Sequence, residues 1–204
     1  CSYSGRMPSA WIVGAGPGLG AAIARRFGLG GFDVALLARR ETTLAPLAKE
    51  IEADGARATF AACDVVDESS VHAAADALRR EFGDPQVMIY NPGIFPVGGL
   101  LEVSPAQLEE SLRVSCMGAF LFAREVVPAM LSAGKGTMIF TGATASWRGS
   151  ARFGAFAAGK FALRALVQSM ARELQPKGIH VAHVIVDGQI ETHHPHDPVP
   201  SAPS

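Results

Sequence analysis

The sequence predicts an α/β fold, a doubly wound parallel sheet of about six strands with helices on both faces. Short apolar segments alternate with amphipathic helical segments through most of the chain. The strand segments are apolar throughout, which is typical of strands covered on both faces of a parallel sheet. A length of 204 residues, 49% of them hydrophobic, suits one compact domain. We therefore expect a ligand site at the carboxyl ends of the strands.

Each of the first four predicted strands is followed by a predicted helix. Glycines are expected to end the first two helices, and Asp67 is expected to cap the start of the third. The fourth helix is expected to begin with Ser104 as its cap and Pro105 in its first turn. In chain order, these segments are SAWIVGA, GLGAAIARRFGLGG, FDVALLA, TTLAPLAKEIEADG, ARATFAACDV, DESSVHAAADALRREFG, PQVMIYN and SPAQLEESLRVSCMGAFLFAREVVPAML.

Two more strands, GTMIFTG and GIHVAHVIV, flank a helix that contains Phe156 and Lys160. These two residues are four apart, so we expect their side chains to share one helix face. We expect residues 7–192 to form a single Rossmann-type dinucleotide-binding domain. Residues 1–6 precede a methionine that reads as a natural start, and we expect them to be a leader or an expression remnant. The proline- and histidine-rich residues 193–204 are expected to be irregular.

Charge and cysteine content narrow the class of protein. The formal charge of −1 and the pI near 6.7 show no basic excess of the kind that nucleic-acid or anionic-membrane binders display. The three cysteines have no metal-like spacing, and Cys63 and Cys116 are expected to be small core residues. No continuous apolar run reaches the ~18 residues that span a bilayer. We expect a cytoplasmic protein with no nucleic-acid or membrane partner.

The segment VGAGPGLG, Val13 to Gly20, lies between the first predicted strand and the first predicted helix. A tight turn there needs glycine, the backbone can approach a pyrophosphate closely, and the helix start presents unpaired N–H groups to the phosphates. This context favours a phosphate or dinucleotide site. The alternative is a glycine-rich turn that only packs the helix against the strand.

Two arginines, Arg39 and Arg40, follow the second predicted strand in the segment LLARRE. NAD-specific sites usually place an acidic residue there to hold the ribose hydroxyls, whereas arginine accepts a 2′-phosphate through charge-assisted hydrogen bonds. The pattern favours NADP(H) over NAD(H). The alternative is that both arginines simply begin a solvated helix.

Together these positions resemble the short-chain dehydrogenase/reductase family, and the resemblance extends from Trp11 to Thr192. It implies a nicotinamide cofactor site on motifs that occur in the family's order. Val13 stands where the family often has threonine, and Asp187 replaces the proline of a Pro-Gly segment. The cofactor-binding positions that the resemblance implies are the glycine turn Gly14, Gly18, Leu19 and Gly20, then Arg39, Arg40, Asp64, Val65, Asn91, Gly93, Lys160, Ile190 and Thr192.

The catalytic positions depart from the family. The family places a tyrosine four residues before its lysine, and here Phe156 stands before Lys160. Ala143 occupies the position of the family's serine, and the adjacent Thr144 is a candidate substitute hydroxyl. Ser115 occupies the position of the asparagine that completes the family's proton relay. The lysine is the one member of this tetrad that is kept.

Loss of the tyrosine matters because reduction of a carbonyl requires a proton. A positioned general acid contributes ~10²–10⁴-fold, or about 3–5 kcal/mol of barrier. A phenyl ring supplies no proton, whereas Lys160 could donate one directly or through water if burial lowers its pKa. Thr144 could hydrogen-bond a substrate oxygen.

Two function hypotheses follow. The first is an NADP(H)-dependent oxidoreductase with an altered proton relay, acting on an unknown carbonyl or alcohol. The second is a catalytically inactive relative that binds the cofactor as a sensor or an assembly subunit. Under either hypothesis the resemblance implies a homodimer through helices near residues 104–132 and 153–175. It also implies a substrate-covering segment and a seventh strand, in place of which the chain has its proline-rich tail.

Other motifs are weaker. His180 and His183 lie three apart on a predicted strand and should face opposite sides, so a shared metal is not expected. The three histidines of the tail lack neighbouring carboxylates or cysteines in metal-like order. A serine hydrolase is not indicated, because no G-x-S-x-G motif occurs. Trp147 and Arg148 belong to a connection near the expected substrate mouth, where they either contact the substrate or pack a loop.

Overall fold

The structure is a computed structural model that describes residues 7–188. The expected leader, the expected tail and the two cofactor positions Ile190 and Thr192 lie outside the described residues. The described chain forms one parallel sheet of six strands in the order β3-β2-β1-β4-β5-β6. The strands are β1 (Ser9–Val13), β2 (Asp33–Ala38), β3 (Ala58–Ala62), β4 (Val87–Tyr90), β5 (Gly136–Ala143) and β6 (Ile179–Val186).

Helices connect the strands and cover both faces of the sheet. The six α-helices are α1 (Leu19–Leu29), α2 (Glu41–Ala53), α3 (Glu68–Phe82), α4 (Pro105–Leu112), α5 (Gly118–Ala133) and α6 (Gly154–Leu174). The strand order reverses between β1 and β4, which is the switch point at which doubly wound folds bind ligands. The predicted fold class is therefore confirmed.

The central strand β1 separates two hydrophobic cores. Ala10 and Ile12 belong to the core beneath α1 and α2. Trp11 and Val13 belong to the larger core beneath α3, α5 and α6. Alternate residues of one strand thus pack on opposite layers, which explains why its sequence is apolar at every position.

The two edge strands are less buried than their apolar sequences predict. Every residue of β1 is buried, whereas no residue of β3 is fully buried. On β6, His180 is exposed and Val184 is 46% exposed. An edge strand has a neighbour on only one side, so the helices cover it incompletely.

Local capping follows the sequence closely. The Asp67 carboxylate accepts hydrogen bonds from the backbone N–H groups of Ser69 and Ser70, at 2.9 and 3.2 Å. At α4, Ser104 and Gln107 form a reciprocal capping box. These bonds satisfy N–H groups that a helix start leaves free, and they confirm both predicted caps.

The predicted long fourth helix is interrupted, which corrects the sequence-based expectation. Residues Arg113–Met117 form a π-helical turn between α4 and α5, and the Gly118 N–H donates to the carbonyl of Arg113. The Tyr90 hydroxyl donates to the carbonyl of Val114 at 2.5 Å. A Cβ on Gly118 would overlap that hydroxyl. The phenol therefore occupies space beside the helix and pairs with one of its carbonyls where the helix widens.

The stretch Pro105–Ala133 has 29 residues and contains an 18-residue window with a mean hydropathy of 1.5, so by length and composition alone it could cross a membrane. Its residues Phe122, Val126 and Met130 pack in the larger core. A core helix of a globular domain passes the same test of length and hydropathy, and this packing identifies the stretch as one.

Candidate active site

Two adjoining cavities open at the carboxyl ends of the strands. The first cavity has a volume of about 540 Å³ and the second about 980 Å³. Asn91, Gly93 and Ile94 line both of them, so the two form one continuous cleft beside the end of β4. This is the location that the parallel-sheet topology predicts for a ligand.

The glycine turn after β1 allows other groups to approach its backbone closely. The N–H groups of Gly14 and Ala15 donate to the Leu37 carbonyl at 2.8 and 3.0 Å, which fixes the turn against β2. A Cβ on Gly20 would overlap the Gly14 carbonyl, so Gly20 permits the helix to pack on the turn. Gly16 differs, because a Cβ there would meet nothing within 4 Å and the residue lines the first cavity.

The start of α1 fits the phosphates of a dinucleotide. Gly18 is its N-cap residue with a φ of 89°, and no side chain among the described residues caps the helix start. Backbone N–H groups and the positive end of the helix dipole therefore face the turn. Pyrophosphate binds to such helix starts in doubly wound folds. Leu19, the first residue of α1, lines the second cavity.

The far end of the first cavity is lined by Arg39, Arg40, Asp64 and Val65. Both arginines are exposed, and Arg40 is also the N-cap residue of α2. The Asp64 carboxylate accepts a hydrogen bond from the Val66 N–H at 3.2 Å, which holds the turn after β3. The structure thus brings the predicted residues of the adenine side together around one cavity.

A chain of hydrogen bonds joins the ends of three strands to helix α6. The Asn91 amide donates to the Gly14 carbonyl at 3.2 Å, and the Thr141 hydroxyl donates to the Asn91 side-chain oxygen at 3.0 Å. The Lys160 ammonium then donates to the Thr141 carbonyl at 3.0 Å. This network fixes the lysine relative to the glycine turn, which is a contact that no local pattern specifies.

Lys160 lies in the wall of the second cavity and is only 5% exposed. Burial lowers the pKa of its ammonium to about 8, because an apolar surrounding disfavours the charged form. Within residues 7–188 it forms no salt bridge that would restore the charged form. A Cβ on Gly93 would lie 3.2 Å from the lysine nitrogen, so glycine at that position leaves room beside the amine.

Three phenylalanines form an aromatic cluster in the second cavity. Phe95 contacts Phe156 edge-to-face, with ring centroids 4.7 Å apart, and contacts Phe153 at 5.3 Å. All three rings line the cavity. The ring of Phe156 thus stands in the wall of the second cavity, where it offers an apolar surface and no exchangeable proton.

Polar groups lie at the ends of β5 and β6. Ala143 and Thr144 both line the second cavity. The Thr144 hydroxyl donates a short hydrogen bond to the carboxylate of Asp187. The Ala143 N–H donates to the Ser146 hydroxyl oxygen at 3.2 Å. Thr144 therefore carries the hydroxyl that is available to a ligand beside Ala143.

Comparison with known proteins identifies the family. A family model described as short chain dehydrogenase matches residues 8–197. The chain belongs to the short-chain dehydrogenase family. Among its relatives, a short-chain dehydrogenase/reductase of Armillaria gallica is 33% identical over 186 residues, covering 90% of this chain and 71% of that protein. The L-2,3-butanediol dehydrogenase of Corynebacterium glutamicum is 31% identical, covering 90% and 72%.

Solved structures agree with this assignment. A short-chain dehydrogenase from Rhodopseudomonas palustris is 42% identical with a TM-score of 0.83, covering 87% of this chain and 84% of that one. A metagenomic short-chain oxidoreductase solved in complex with NADP is 32% identical with a TM-score of 0.83, covering 87% and 81%. These likenesses confirm the family that the motifs indicated and place the chain among oxidoreductases.

As a short-chain dehydrogenase, the chain brings some of its predicted catalytic positions together and leaves one apart. Phe156, Lys160, Ala143 and Thr144 all line the second cavity. Ser115 does not line either cavity. It is fully buried in the π-helical turn, and its hydroxyl has no hydrogen-bond partner among the described residues.

The packing around Ser115 explains its location. A Cβ on Gly159 would lie 3.0 Å from the Ser115 hydroxyl, so the serine faces α6 rather than the cleft.

The two cysteines that were expected to be core residues differ in burial, since Cys63 is buried and Cys116 is half-buried. The expectation of small core residues therefore fits Cys63 better than Cys116.

Sequence reasoning missed two features of this short-chain dehydrogenase site. Phe95 gives no local signal, because its contact with Phe156 joins the loop after β4 to helix α6. Asp187 was noted only as a replacement for proline, although register places it beside the end of β5. That β-end position was the available signal, since carboxyl ends of parallel strands meet at one edge.

Residues of the connection between β5 and α6 pack against α6 and also line the second cavity. The guanidinium of Arg164 stacks on the Trp147 ring at 3.5 Å and donates to the Ser146 carbonyl. Arg148 is exposed and lines the second cavity.

Burial, together with the charges of Lys160 and Arg164, lowers the pKa of His183, which favours a neutral imidazole there.

Proposed function

We propose that this chain is an NADP(H)-dependent oxidoreductase that acts on a carbonyl or alcohol through an altered proton relay. The observation that carries this proposal is the continuous cleft in which the glycine turn, the arginine pair and Lys160 lie along one path. The glycine turn and the start of α1 suit a pyrophosphate. The second cavity suits a substrate beside the nicotinamide end of the cofactor. The proposed functional unit is a single domain over residues 7–192.

The preference for NADP(H) is supported by charge. Arg39 and Arg40 are exposed at the rim of the first cavity and can pair with a 2′-phosphate. Two solved relatives point the same way, because the metagenomic oxidoreductase and a 28% identical gluconate 5-dehydrogenase of Burkholderia cenocepacia were each solved with NADP. The nicotinamide supplies hydride chemistry when it is bound. Ile190 and Thr192 are proposed to contact its carboxamide.

The altered relay is supported by the environment of Lys160. With a pKa of about 8, the amine has comparable charged and neutral populations near pH 8. Phe156 supplies no proton, so an exchangeable proton must come from water or from another group that lines the cavity, such as Lys160, Thr144 or Ser150. Ser115 could take part only through α6, because it faces Gly159.

A second candidate is a cofactor-binding relative without catalytic activity. It is favoured by one specific observation, since both the tyrosine and the serine positions carry residues without a hydroxyl, Phe156 and Ala143. Such a protein would act as a sensor of the nicotinamide pool or as a subunit of an assembly. Turnover separates this candidate from the first, whereas cofactor binding is common to both.

We propose that the protein is a homodimer in the cytoplasm. The helices named for the interface carry apolar side chains that the monomer leaves about 40% exposed, namely Leu108, Leu112, Phe120 and Phe161. Burial of such a surface between two copies would stabilise a twofold pair. Light scattering at micromolar concentration tests the proposal, and a monomer there contradicts it.

Cofactor binding is tested by a charge placed at Gly16. Because a Cβ at this position meets nothing within 4 Å, substitution there leaves the fold intact. Gly16→Asp puts a carboxylate beside the proposed phosphates and should weaken NADPH binding by about tenfold or more. Gly16→Ala is the matched control and should bind NADPH nearly as well as the wild type. Fluorescence titration of NADPH, with turnover measured on a panel of carbonyls and alcohols, gives both readouts.

A further inference from the structure

A hydroxyl and a carboxylate are held together at the substrate side of the cleft. Thr144 directly follows β5 and Asp187 directly follows β6. The two strands are paired up to Ala143 and Val186, so sheet register sets the residues side by side. The Thr144 hydroxyl donates its hydrogen to a carboxylate oxygen of Asp187. Strand pairing therefore positions this contact, and the two side chains do not depend on a mobile loop for it.

The pair connects the second cavity with solvent. Thr144 lines the cavity, as do Val186 and Gly188 on either side of Asp187. Asp187 itself is exposed to solvent and forms no salt bridge with another residue of the range 7–188. Thr144 can thus touch a ligand while Asp187 remains in contact with water.

Cationic side chains lie along the same part of the cleft. Lys160 and Arg148 line the same cavity, from α6 and from the connection after β5. Arg164 lies against that connection, where it donates to the Ser146 carbonyl. Asp187 is the anionic side chain in this set. A carboxylate can act as a general base.

We propose that Thr144 and Asp187 form the proton-accepting pair for oxidation of an apolar secondary alcohol, an inference that rests on the proposed function. The alcohol class follows from the aromatic cluster, because Phe95, Phe153 and Phe156 give the substrate cavity an apolar wall. The direction follows from the carboxylate, since a general base suits the oxidation of an alcohol. Thr144 is the catalytic residue that touches substrate, and Asp187 acts through it.

The proton and electron transfers balance as follows. The substrate hydroxyl gives its proton to the Thr144 oxygen while the threonine's own hydroxyl proton moves to Asp187. The carbon that bears this hydroxyl loses a hydride to NADP⁺, which is the oxidant, and the C–O bond becomes a carbonyl. Asp187 then releases its proton to water. The products are a ketone, NADPH and one proton.

The test compares Asp187→Asn and Thr144→Val in NADP⁺-dependent oxidation of an aryl secondary alcohol such as 1-phenylethanol. Each substitution should lower kcat by ~10²-fold or more, and the double variant should lose little beyond either single one. Thr144→Ser keeps the hydroxyl and should recover most of what Thr144→Val loses. Asp54→Asn is a matched control, because it neutralises another exposed aspartate, at the end of α2.

Chemical rescue separates proton transfer from positioning. Asp187→Ala opens space for a small carboxylate, so added formate should restore oxidation in a concentration-dependent way. The same formate should not rescue Thr144→Val, which lacks the hydroxyl between formate and substrate. A purely structural role for Asp187 predicts no rescue in either variant.

Two readouts do not require turnover. NADPH affinity should be the same in the wild type, Asp187→Asn and Thr144→Val within about threefold. The cofactor-free unfolding midpoints of the two single variants and the double variant should be non-additive, because the side chains share one hydrogen bond. Additive midpoints would show that the contact is not made and would overturn the inference.

The remaining outcomes distinguish this inference from the proposed function. If the wild type oxidises alcohols and Asp187→Asn does so equally fast, the inference is wrong and the proposed function stands. If the wild type binds NADPH and oxidises no alcohol in the panel, the inference is wrong and the non-catalytic candidate is favoured. If no NADP(H) binds at all, both fail.

Discussion

The ring of Phe156 meets the ring of Phe95 edge-to-face, with centroids 4.7 Å apart and an interplanar angle of 70°. This contact ties the helix that carries Lys160 to the loop after β4. Edge-to-face pairs are among the favoured aromatic geometries, so the ring at position 156 is held in place by packing. The same ring lines the second cavity.

The first prediction restores the family's two hydroxyls. Phe156→Tyr combined with Ala143→Ser should raise turnover of an activated ketone by at least ~10²-fold, the lower range of what one general acid contributes. NADPH affinity should change little. Phe156→Tyr alone should give less, because Thr144 is offset by one residue from the serine position. Steady-state kinetics of NADPH oxidation provide the measurement.

Phe153→Tyr is the control for this experiment, since it adds a phenol to the same aromatic cluster away from position 156. It should not raise turnover. A wild type as fast as the double variant would show that another residue already supplies the proton. A double variant that binds NADPH and stays inert would place the defect elsewhere on the substrate side.

A second prediction concerns cofactor choice. The wild type should bind NADPH more tightly than NADH, and replacing Arg39 and Arg40 with alanine should remove most of that preference. NADH affinity should be nearly unchanged, because NADH has no 2′-phosphate to lose contact with. Arg80→Ala is a matched control on the exposed face of α3. Parallel titrations with NADPH and NADH test this prediction, and equal affinities of the wild type for the two nucleotides would contradict it.

A third prediction follows from burial of Lys160. Its ammonium has an ordinary pKa of 10.5 and a folded-state pKa lowered to about 8. Between these values the unfolded chain holds the extra proton, so stability rises as pH increases through the window. Relative to Lys160→Met, the wild type should gain up to about 3 kcal/mol of unfolding free energy from pH 8 to pH 10.5.

Denaturant unfolding of both proteins across this pH range measures the gain. The comparison with Lys160→Met cancels the tyrosine and cysteine ionisations that both proteins share. Lys49→Met serves as a control, because Lys49 is exposed on α2 and its removal should leave the pH dependence as it is in the wild type. A constant difference between the wild type and Lys160→Met would show that the amine is not desolvated.

The fourth prediction tests the π-helical turn. Tyr90→Phe removes the hydroxyl that donates to the Val114 carbonyl, and should cost ~1–3 kcal/mol because the carbonyl loses a buried partner. Gly118→Ala should also destabilise, since its Cβ would overlap the same hydroxyl. In the Tyr90→Phe background, Gly118→Ala should cost less. A thermal-unfolding double-mutant cycle measures this coupling, and additive effects would contradict it.

Much of the architecture follows from local sequence. Apolar strand segments alternate with amphipathic helical segments, and this alternation predicted a parallel sheet. The spacing of hydrophobic residues in each segment matches the geometry of either a strand or a helix. Asp67 and Ser104 were recognisable as caps because capping depends on residues within one helical turn. The glycine turn at Gly14 was recognisable for the same reason, since its φ of 81° is a property of that residue's own backbone.

Tertiary structure decided the features that join distant parts of the chain. Phe95 reaches Phe156, Tyr90 reaches Val114 and Thr144 reaches Asp187 only after the sheet has formed. Each of these contacts crosses between separate strands, loops or helices, so no spacing along the chain encodes it. The π-helical turn and the position of Ser115 against Gly159 belong to the same class. The sequence by itself determined the layers and the glycine turn, whereas packing between the layers decided which side chains face the second cavity, because a side chain's neighbours depend on register and helix placement.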